Sequence, residues 1–388
     1  MGENKTRWSS VSRRGFTLIE LMIGMLLTTI VIGGTYLMFT SSSEVFSHQN
    51  LTSENHNNIR FAVELLKADV ARAGFMSSPN GATDPQVCPP PTFSVPALSL
   101  TEDVVVQIDG SDFLTTDQLL VVGDMSAYPP FQISSIAGTV ITVVPQPEVD
   151  DATFANIFQE PVSASSRVIR LTNPDGLSQF GKVSNVSGDD TINLVLPLTP
   201  ATTGSCGYSP MAAENHEINA VTGYLYTIEA DPAVDASMEK TDLVRWRADF
   251  TNGGFTNIPG SRLVVAEYVV GLDFVVLGVV PSGQPANDPS VALPDPEEEH
   301  GMDSSGSTAS IMDESDVDAS PQRVRYVDFR IMTRTREAIP RRLAVPTGAS
   351  AVGHAEQVYF PLSNNRVADV RTIQGKIAAP NLTFRNLQ

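Results

Sequence analysis

Glu20 is the residue whose type and position most clearly indicate chemistry. It is a carboxylate that follows the run Arg13-Arg14-Gly15-Phe16-Thr17-Leu18-Ile19, inside an apolar stretch that continues to about Phe39. A charged side chain is costly inside a hydrocarbon layer, so ionisable residues in such stretches usually pair with another charge and carry a function. The pattern therefore indicates that the Glu20 carboxylate pairs with a positive charge in a region of low dielectric constant, close to the Gly15-Phe16 junction.

A membrane-spanning helix is the element that must position Glu20. Residues 16–39 would form a helix about 36 Å long, enough to cross a hydrocarbon core about 30 Å thick. Basic residues precede it and would stay on the cytoplasmic side of the membrane, namely Lys5, Arg7, Arg13 and Arg14. We therefore expect a leader at residues 1–15 and a transmembrane and assembly helix at residues 16–39, with the remaining chain outside the cytoplasm.

The contiguous run Gly-Phe-Thr-Leu-Ile-Glu-Leu at residues 15–21 resembles the class III signal of type IV prepilins and type II secretion pseudopilins. In that family a membrane-embedded prepilin peptidase cuts between Gly and Phe and then N-methylates the new terminus. The resemblance implies cleavage between Gly15 and Phe16, N-methylation of Phe16, and a role for Glu20 in setting the register of assembly. An ordinary secretory signal would have a shorter apolar region and a small-residue cleavage site. A simple membrane anchor would explain neither Glu20 nor the Gly-Phe junction.

The overall charge excludes one class of partner. The chain has 25 Lys and Arg against 44 Asp and Glu, a net charge of −19. Nucleic-acid phosphates and anionic lipid headgroups attract clusters of Lys and Arg, and no such cluster follows Arg14. We therefore expect no nucleic-acid partner.

The chain has two cysteines, Cys88 and Cys206, and neither has another cysteine or a close histidine to complete a metal site. Outside the cytoplasm a disulfide is permitted. Closing a loop of this length would stabilise the fold by about 4–5 kcal/mol in the chain-entropy model. We expect this disulfide, with two unpaired thiols as the alternative.

Helical character continues beyond the membrane span. Apolar residues at three- and four-residue spacings predict an amphipathic continuation of the helix over residues 40–75, with Gly74 as its stop. The stretch 65–75 resembles the helix end of PilW-like minor pilins and J-type pseudopilins. The order of later stretches also looks PilW-like: Leu-Val-Arg-Trp-Arg at 243–247, then residues 263–274, the arginine-alternating strand at 323–334, and Asn-Leu-Thr-Phe-Arg-Asn-Leu at 381–387. Residues 76–240 show no such resemblance.

From about residue 101 the apolar period changes to two, and β-branched runs alternate with turn residues. This pattern predicts strands at 104–108, 118–122, 139–144, 167–171, 192–196, 223–229, 243–249, 262–268, 270–280 and 323–334. Strands and helices do not alternate, which favours an antiparallel sheet. The expected fold class is α+β: a long N-terminal helix packed on a mainly antiparallel β-sheet head at residues 76–388, similar to type IV pilins.

Residues 281–321 are acidic and poor in large apolar side chains, which predicts a flexible loop. The loop contains weak calcium candidates, Asp313, Asp316 and Asp318. The run from Asp316 begins like an EF-hand loop, but Pro321 stands where glycine is needed and Val327 where glutamate is needed. A solvated loop without metal is the preferred interpretation, so we expect no cofactor.

The sequence lacks the usual marks of an enzyme. Its five histidines are scattered, and it contains no Walker-A loop, no Gly-x-Ser-x-Gly elbow and no Gly-x-Gly-x-x-Gly after a strand. We therefore expect a structural protein.

The leading hypothesis is a PilW-like minor pilin that helps to initiate or cap a type IV pilus near its tip. Its partners would be prepilin peptidase, other minor and major pilins and the inner-membrane assembly platform. It would start as a single-pass protein of the bacterial inner membrane with a periplasmic head, and later reach the cell surface. Two alternatives stay open: a minor pseudopilin of a type II secretion system, and a tip adhesin that binds through residues 76–240 or 281–321.

Overall fold

The computed structural model describes residues 17–109, 112–159, 167–200, 208, 216–231, 240–252, 254–279, 309–319, 321–336, 359–362 and 366–383. The leader, Gly15, Phe16 and Cys206 lie outside these ranges, as do residues 280–308 of the predicted acidic loop. The chain divides into two compact units, Met1–Glu54 and Asn55–Gln388. The boundary between them falls within helix α1, Leu18–Ala71.

The described part of the first unit is the N-terminal part of α1, and its segment from Leu18 to Phe39 is apolar on all sides. Its large apolar side chains from Leu18 to Phe39 are 52–79% exposed. Among the described residues, α1 is the one helix long and apolar enough to cross a membrane. Its threonine hydroxyls donate to helix carbonyls three or four residues earlier, at Thr28, Thr29, Thr35 and Thr40. These hydroxyls therefore need no further partner in a hydrocarbon layer.

The second unit begins with the amphipathic end of α1. Its buried side chains recur at three- and four-residue spacings, at Ile59, Ala62, Val63, Leu66 and Val70. They form one core with residues from both β-sheets of the unit. The helix ends at Ala71, and Gly74 adopts a left-handed φ of 72° shortly after it. This confirms the predicted stop, because glycine is the residue that takes such a conformation at a helix end most easily.

Among the described residues the larger sheet has 11 strands, and every named pairing in it is antiparallel. Its strands are β1 Leu98–Asp109, β2 Asp112–Gly123, β3 Phe131–Ala137, β4 Val140–Val143, β5 Val168–Thr172, β6 Ser178–Ser187, β7 Thr191–Leu194, β8 Glu217–Ala230, β9 Thr241–Thr251, β10 Gly254–Asn257 and β11 Leu263–Glu267.

Six of these strands close into a barrel. They follow the order β8-β3-β4-β7-β6-β5, and β8 pairs with β3 on one side and with β5 on the other. A short helix, α2 Asp151–Phe158, contributes Phe154 and Phe158 to the barrel's own apolar core. Their rings lie 5.5 and 5.2 Å from the ring of Phe131 on β3. Beyond the barrel, β8 continues between β2 and β9, so one strand belongs to both the barrel and the main sheet.

The smaller sheet has five antiparallel strands in the order β13-β12-β14-β16-β15. They are β12 Val269–Val279, β13 Ala309–Met312, β14 Val324–Arg334, β15 Tyr359–Leu362 and β16 Arg366–Ala378, followed by helix α4 Pro380–Thr383. Each of the ten predicted strands overlaps an observed strand. The predicted α+β class, with a long N-terminal helix and a mainly antiparallel head, is confirmed.

The end of the predicted acidic loop is ordered, which corrects that part of the prediction. Residues 309–312 form β13 against β12, and helix α3 Glu314–Ala319 and a 3-10 turn Pro321–Arg323 follow. Val317 of α3 is fully buried in the main core. Acidic composition suggested a loop, but the segment is held by its pairing with β12 and by Met312 and Val317, which are buried in the main core.

Asp117 on β2 connects the two sheets. Its Oδ2 accepts a hydrogen bond from the backbone N–H of Phe274 on β12 at 2.8 Å, and its Oδ1 accepts one from the N–H of Asp103 at 3.3 Å. Burial raises the pKa of Asp117 to about 6, with the nearby carboxylates of Asp273 and Glu102 adding to the effect. The folded state therefore holds the Asp117 proton more tightly than the unfolded state does.

We expect this group to make the fold less stable as the pH rises. Its contribution is fully present below the unfolded pKa near 3.8 and is lost as the pH passes about 6. With a discount for partial exposure, the loss is about 1–2 kcal/mol. The free energy of unfolding of the native chain and of Asp117→Asn would be measured by urea unfolding in detergent at pH 4 to 7. Relative to the native chain, the variant should become more stable by this amount as the pH rises from 4 to 7. A stability difference that stays constant with pH would contradict the assignment.

Candidate functional site

The start of α1 places Glu20 in a reciprocal cap with Thr17. The backbone N–H and the hydroxyl of Thr17 both donate to Glu20 Oε2 at 3.0 Å, and the Glu20 N–H donates to Thr17 Oγ1 at 3.3 Å. This is a capping box, in which two otherwise unpaired N–H groups at the helix start are satisfied. Sequence reasoning missed it, although the spacing Thr-x-x-Glu carries the signal.

The cap holds the Glu20 carboxylate at the first turn of the helix. Gly15 and Phe16 lie outside the described residues, so their predicted roles stay predictions. Phe16 directly precedes Thr17, whose N–H already contacts this carboxylate. A new amino terminus at Phe16 would thus begin one residue from a group that binds Glu20. The arrangement suits a carboxylate that can pair with an ammonium group.

The glycines of the apolar segment have free space around them. A Cβ added at Gly24, Gly33 or Gly34 would meet nothing within 4 Å. Packing within the chain therefore does not explain why these positions are small. Small residues on an apolar helix allow a second helix to approach closely, which is consistent with a helix that packs against other subunits.

At its other end, α1 is held by a buried ionic cluster formed by Asp69, Tyr226 and Arg245, here called the Asp69 cluster. Asp69 Oδ2 accepts from the Tyr226 hydroxyl at 2.6 Å and from Arg245 Nη1 at 2.8 Å. The Arg245 guanidinium also lies over the Tyr224 ring, 4.0 Å from its centroid. Burial, reinforced by Asp69, raises the pKa of Tyr226 well above its ordinary value, so the hydroxyl stays protonated and donates.

The residues after α1 fit closely against the head. Gly74 N–H donates to Val122 O at 2.8 Å, and Arg72 Nη1 donates to Met125 O at 2.9 Å. Asn381 Nδ2 donates to Ala71 O at 2.6 Å. A Cβ at Gly74 would lie 2.6 Å from the side chain of Leu382 on α4. Both ends of the head sequence therefore meet the helix end.

Cys88 is disulfide-bonded. Its backbone N–H donates to Ser178 O at 2.9 Å, which fixes this loop beside β6. The other cysteine of the chain, Cys206, lies outside the described residues, so the pairing of the two stays a prediction.

Two of the three weak calcium candidates, Asp313 and Asp318, accept hydrogen bonds within the chain. Asp313 accepts from the Ser315 hydroxyl at 2.8 Å, and the carbonyl of Asp318 accepts from Asn80 Nδ2 at 3.0 Å. Asp316 lies in α3, and its side chain is not described. In the described part of the chain no three His, Cys, Asp or Glu side chains are grouped so that they could hold a metal ion. The preferred interpretation, a loop without bound metal, stays a prediction, and these three residues stay weak calcium candidates.

The family model of the prokaryotic N-terminal methylation motif matches residues 11–36. No curated protein and no solved structure matches the chain. The matched range contains the Gly15-Phe16 junction, the capped Glu20 and most of the exposed apolar helix. The motif implies processing by prepilin peptidase, membrane anchoring through α1 and assembly with other pilins. These observations support a precursor of the type IV pilin or pseudopilin type, with a prepilin-type N-terminal signal.

Proposed function

We propose that this chain is a PilW-like minor pilin that helps to initiate or cap a type IV pilus near its tip. Prepilin peptidase would cut between Gly15 and Phe16 and methylate the Phe16 amine. Glu20 would then pair with an N-terminal ammonium, its own or that of a neighbouring subunit. In the low dielectric of a helix bundle an unpaired carboxylate is costly, so this pairing would set the register of the incoming subunit.

One observation carries the PilW-like part of the proposal. Three of the stretches with a PilW-like pattern lie far apart in the sequence, yet their residues meet at the end of α1. Asp69 of the first stretch binds Arg245 of the second. Asn381 and Leu382 of the terminal stretch contact the helix end at Ala71 and Gly74. A shared function in attaching the helix to the head would explain why these three stretches occur together.

The size of the head supports the proposal that the chain is a minor pilin, which is present in few copies. The head contains two sheets and a closed six-stranded barrel with its own core. Repeated along a thin filament, so large a head would crowd its neighbours, whereas a single copy at the tip would not. We infer a few copies near the tip, flanked by other minor and major pilins. The protein would wait in the inner membrane, engage the assembly platform and then reach the cell surface with its head outward.

The barrel also favours a second candidate function, that of a binding head. Strands β3 to β7 come between β2 and β8 in the sequence. In the sheet, however, β2 and β8 pair directly with each other, at Gly123 and Thr222 among other residues. The main sheet therefore does not need the barrel to connect its strands, so the barrel is an insertion that could present a ligand surface. Under this candidate function the subunit would act as a tip adhesin.

One complementation experiment tests both proposals. A strain lacking this gene would receive the native chain, or a chain in which a four-residue Asn-Gly turn replaces residues 125–220. Because that replacement also removes Cys206, a Cys88→Ser chain is the matched control. Surface filaments, secreted protein and attachment of cells would be measured for each strain.

The minor-pilin proposal expects few or no filaments in the deletion strain, and filaments in each complemented strain. If the barrel is the binding head, its replacement would restore filaments but not attachment. Normal filaments with lost secretion in the deletion strain would indicate a type II pseudopilin instead. Normal filaments with normal secretion would overturn an assembly role altogether.

A further inference from the structure

Two asparagines of the chain are followed directly by glycine, Asn80 before Gly81 and Asn252 before Gly253. Such pairs are prone to deamidation, because glycine has no Cβ to hinder its backbone nitrogen. The glycine nitrogen loses its proton and attacks Cγ of the asparagine side chain. The bond from Cγ to Nδ2 breaks, ammonia leaves and a succinimide ring forms. Water then opens the ring at either carbonyl, which gives aspartate or isoaspartate.

The pair Asn80-Gly81 lies between α1 and β1, and both of its reacting groups have partners there. The Gly81 N–H, which carries the attacking nitrogen, donates to Val95 O at 3.1 Å. Asn80 Oδ1 accepts from the Ala82 N–H at 3.0 Å, and Asn80 Nδ2 donates to the carbonyl of Asp318 on α3, also at 3.0 Å. These bonds hold the side-chain amide in place and keep Cγ from turning toward the Gly81 nitrogen.

The backbone around Gly81 also has little room to move. Gly81 is buried, and a Cβ built on it would lie 3.3 Å from the Pro91 side chain and 3.5 Å from the Phe180 ring. Asn80 forms an antiparallel bridge with Pro96. Closure of the succinimide ring requires rotation of the backbone between Asn80 and Gly81, so these contacts must break first. The folded head therefore slows the reaction of this pair.

Helix α3 is the element that ties the Asn80 amide to the rest of the head. It has six residues, Glu314–Ala319, and Val317 anchors it in the main core. A short element of this kind opens at a lower cost in free energy than the core strands do. When α3 leaves, Asn80 Nδ2 loses its acceptor on Asp318. Opening of α3 is therefore the step that frees the Asn80 side chain.

We propose that Asn80 is a deamidation site that the folded head protects and that reacts when α3 opens. Neither product, aspartate nor isoaspartate, has the Nδ2 donor, and each brings a negative charge toward the Asp318 carbonyl. The modified head would thus hold α3 less firmly. Because hydrolysis of the amide is irreversible, the modification would record that a head has opened. The inference concerns the head alone and does not depend on the pilin function.

The test follows both asparagines in the full chain in detergent, kept in mildly alkaline buffer. Peptide mapping that separates asparagine, aspartate and isoaspartate would give the rate at each site. In chain unfolded by guanidinium, Asn80 and Asn252 should react at similar rates. In the folded chain, Asn80 should react at least about tenfold more slowly than in the unfolded chain. Val317→Ala, which loosens α3, should raise the Asn80 rate at least about fivefold.

Two controls are available within the same chain. Asn252 is exposed, in the turn between β9 and β10, and Val317→Ala should leave its rate unchanged. Ile311 is 55% exposed on β13, shortly before α3, and Ile311→Ala should change neither rate.

A second measurement examines the consequence of the modification and does not need the Val317 variant to fold. Asn80→Asp creates the product directly. It should speed hydrogen exchange of the Val317 N–H, which donates to Asp313 O, by about fivefold, since one hydrogen bond that holds α3 is lost. Asn252→Asp is the matched control and should leave this exchange unchanged.

Three results would overturn the proposal. The first is an Asn80 rate in the folded chain as high as that in the unfolded chain. The second is an Asn80 rate that is the same in Val317→Ala and Ile311→Ala, which would mean that α3 does not control the reaction. The third is unchanged hydrogen exchange of α3 in Asn80→Asp, which would mean that the Asn80 amide does not hold this helix.

Discussion

Asp69→Ala is expected to lower the free energy of unfolding of the head by about 3–4 kcal/mol, because it leaves a buried cation without its partner. The side chains of Asp69 and Arg245 are 9% and 17% exposed, and Tyr226 is fully buried. Losing the carboxylate would leave the guanidinium and the hydroxyl without their shared acceptor. Urea unfolding of the full chain, followed by Trp fluorescence and far-UV circular dichroism, would measure the change.

A matched control lies on the same helix. Glu64 pairs with Arg60, but both side chains are largely exposed, at 64% and 79%. Glu64→Ala should therefore leave the unfolding midpoint unchanged, since exposed ion pairs contribute little. Tyr226→Phe removes one of the two hydrogen bonds to Asp69 and should cost about 1 kcal/mol.

A double-mutant cycle separates the ion pair from simple packing. If the Asp69 cluster acts as a unit, Asp69→Leu combined with Arg245→Met should cost clearly less than the sum of the two single changes. Additive costs, or a loss from Asp69→Ala as small as that of the Glu64 control, would contradict the role assigned to the cluster.

Glu20→Ala is expected to remove the subunit from filaments, lowering its amount in sheared filaments at least about tenfold, because a charge partner is lost at low dielectric. Three variants separate the two roles of this residue. Glu20→Gln keeps the capping box, since glutamine can replace glutamate in it, but it removes the charge. Thr17→Ala keeps the charge and removes the cap bonds made by the Thr17 hydroxyl.

If charge pairing is the role of Glu20, both Glu20 variants stay in the membrane while Thr17→Ala still enters filaments. Immunoblots of sheared and membrane fractions, with intact masses to verify cleavage, would show this. Normal incorporation of Glu20→Gln would mean that the cap, and not the charge, is what assembly requires.

Local sequence patterns were sufficient to predict those strands whose conformation is determined by a single run of residues. The β-branched runs that became β2 and β5 fix both the extended conformation and the buried face. Strand β6, Ser178–Ser187, was missed because serine, glycine and asparagine interrupt its apolar pattern. It becomes a strand because β5 and β7 pair with it on either side. Closure of the barrel depends on such long-range pairing, which no local pattern reveals.

The same distinction holds for the candidate site. The junction at Gly15 and the carboxylate at Glu20 could be predicted because the whole motif is contiguous. The partner of Asp69 could not, since Arg245 lies 176 positions later and its position depends on how the sheet forms. The acidic stretch around Val317 misled for a related reason, because its buried residues Met312 and Val317 pack against a core built from residues distant in the sequence.

Intact-mass and N-terminal analysis of the chain from membranes and from sheared surface filaments would show whether the chain is cut after Gly15 and then assembled. It would be made on the native chain and on Gly15→Ala. We expect filaments to contain a chain starting at N-methyl-Phe16, and Gly15→Ala to leave an uncut chain in the membrane and none in filaments. A chain that keeps its leader and is found only in membranes would contradict the pilin assignment and the assembly role given to Glu20.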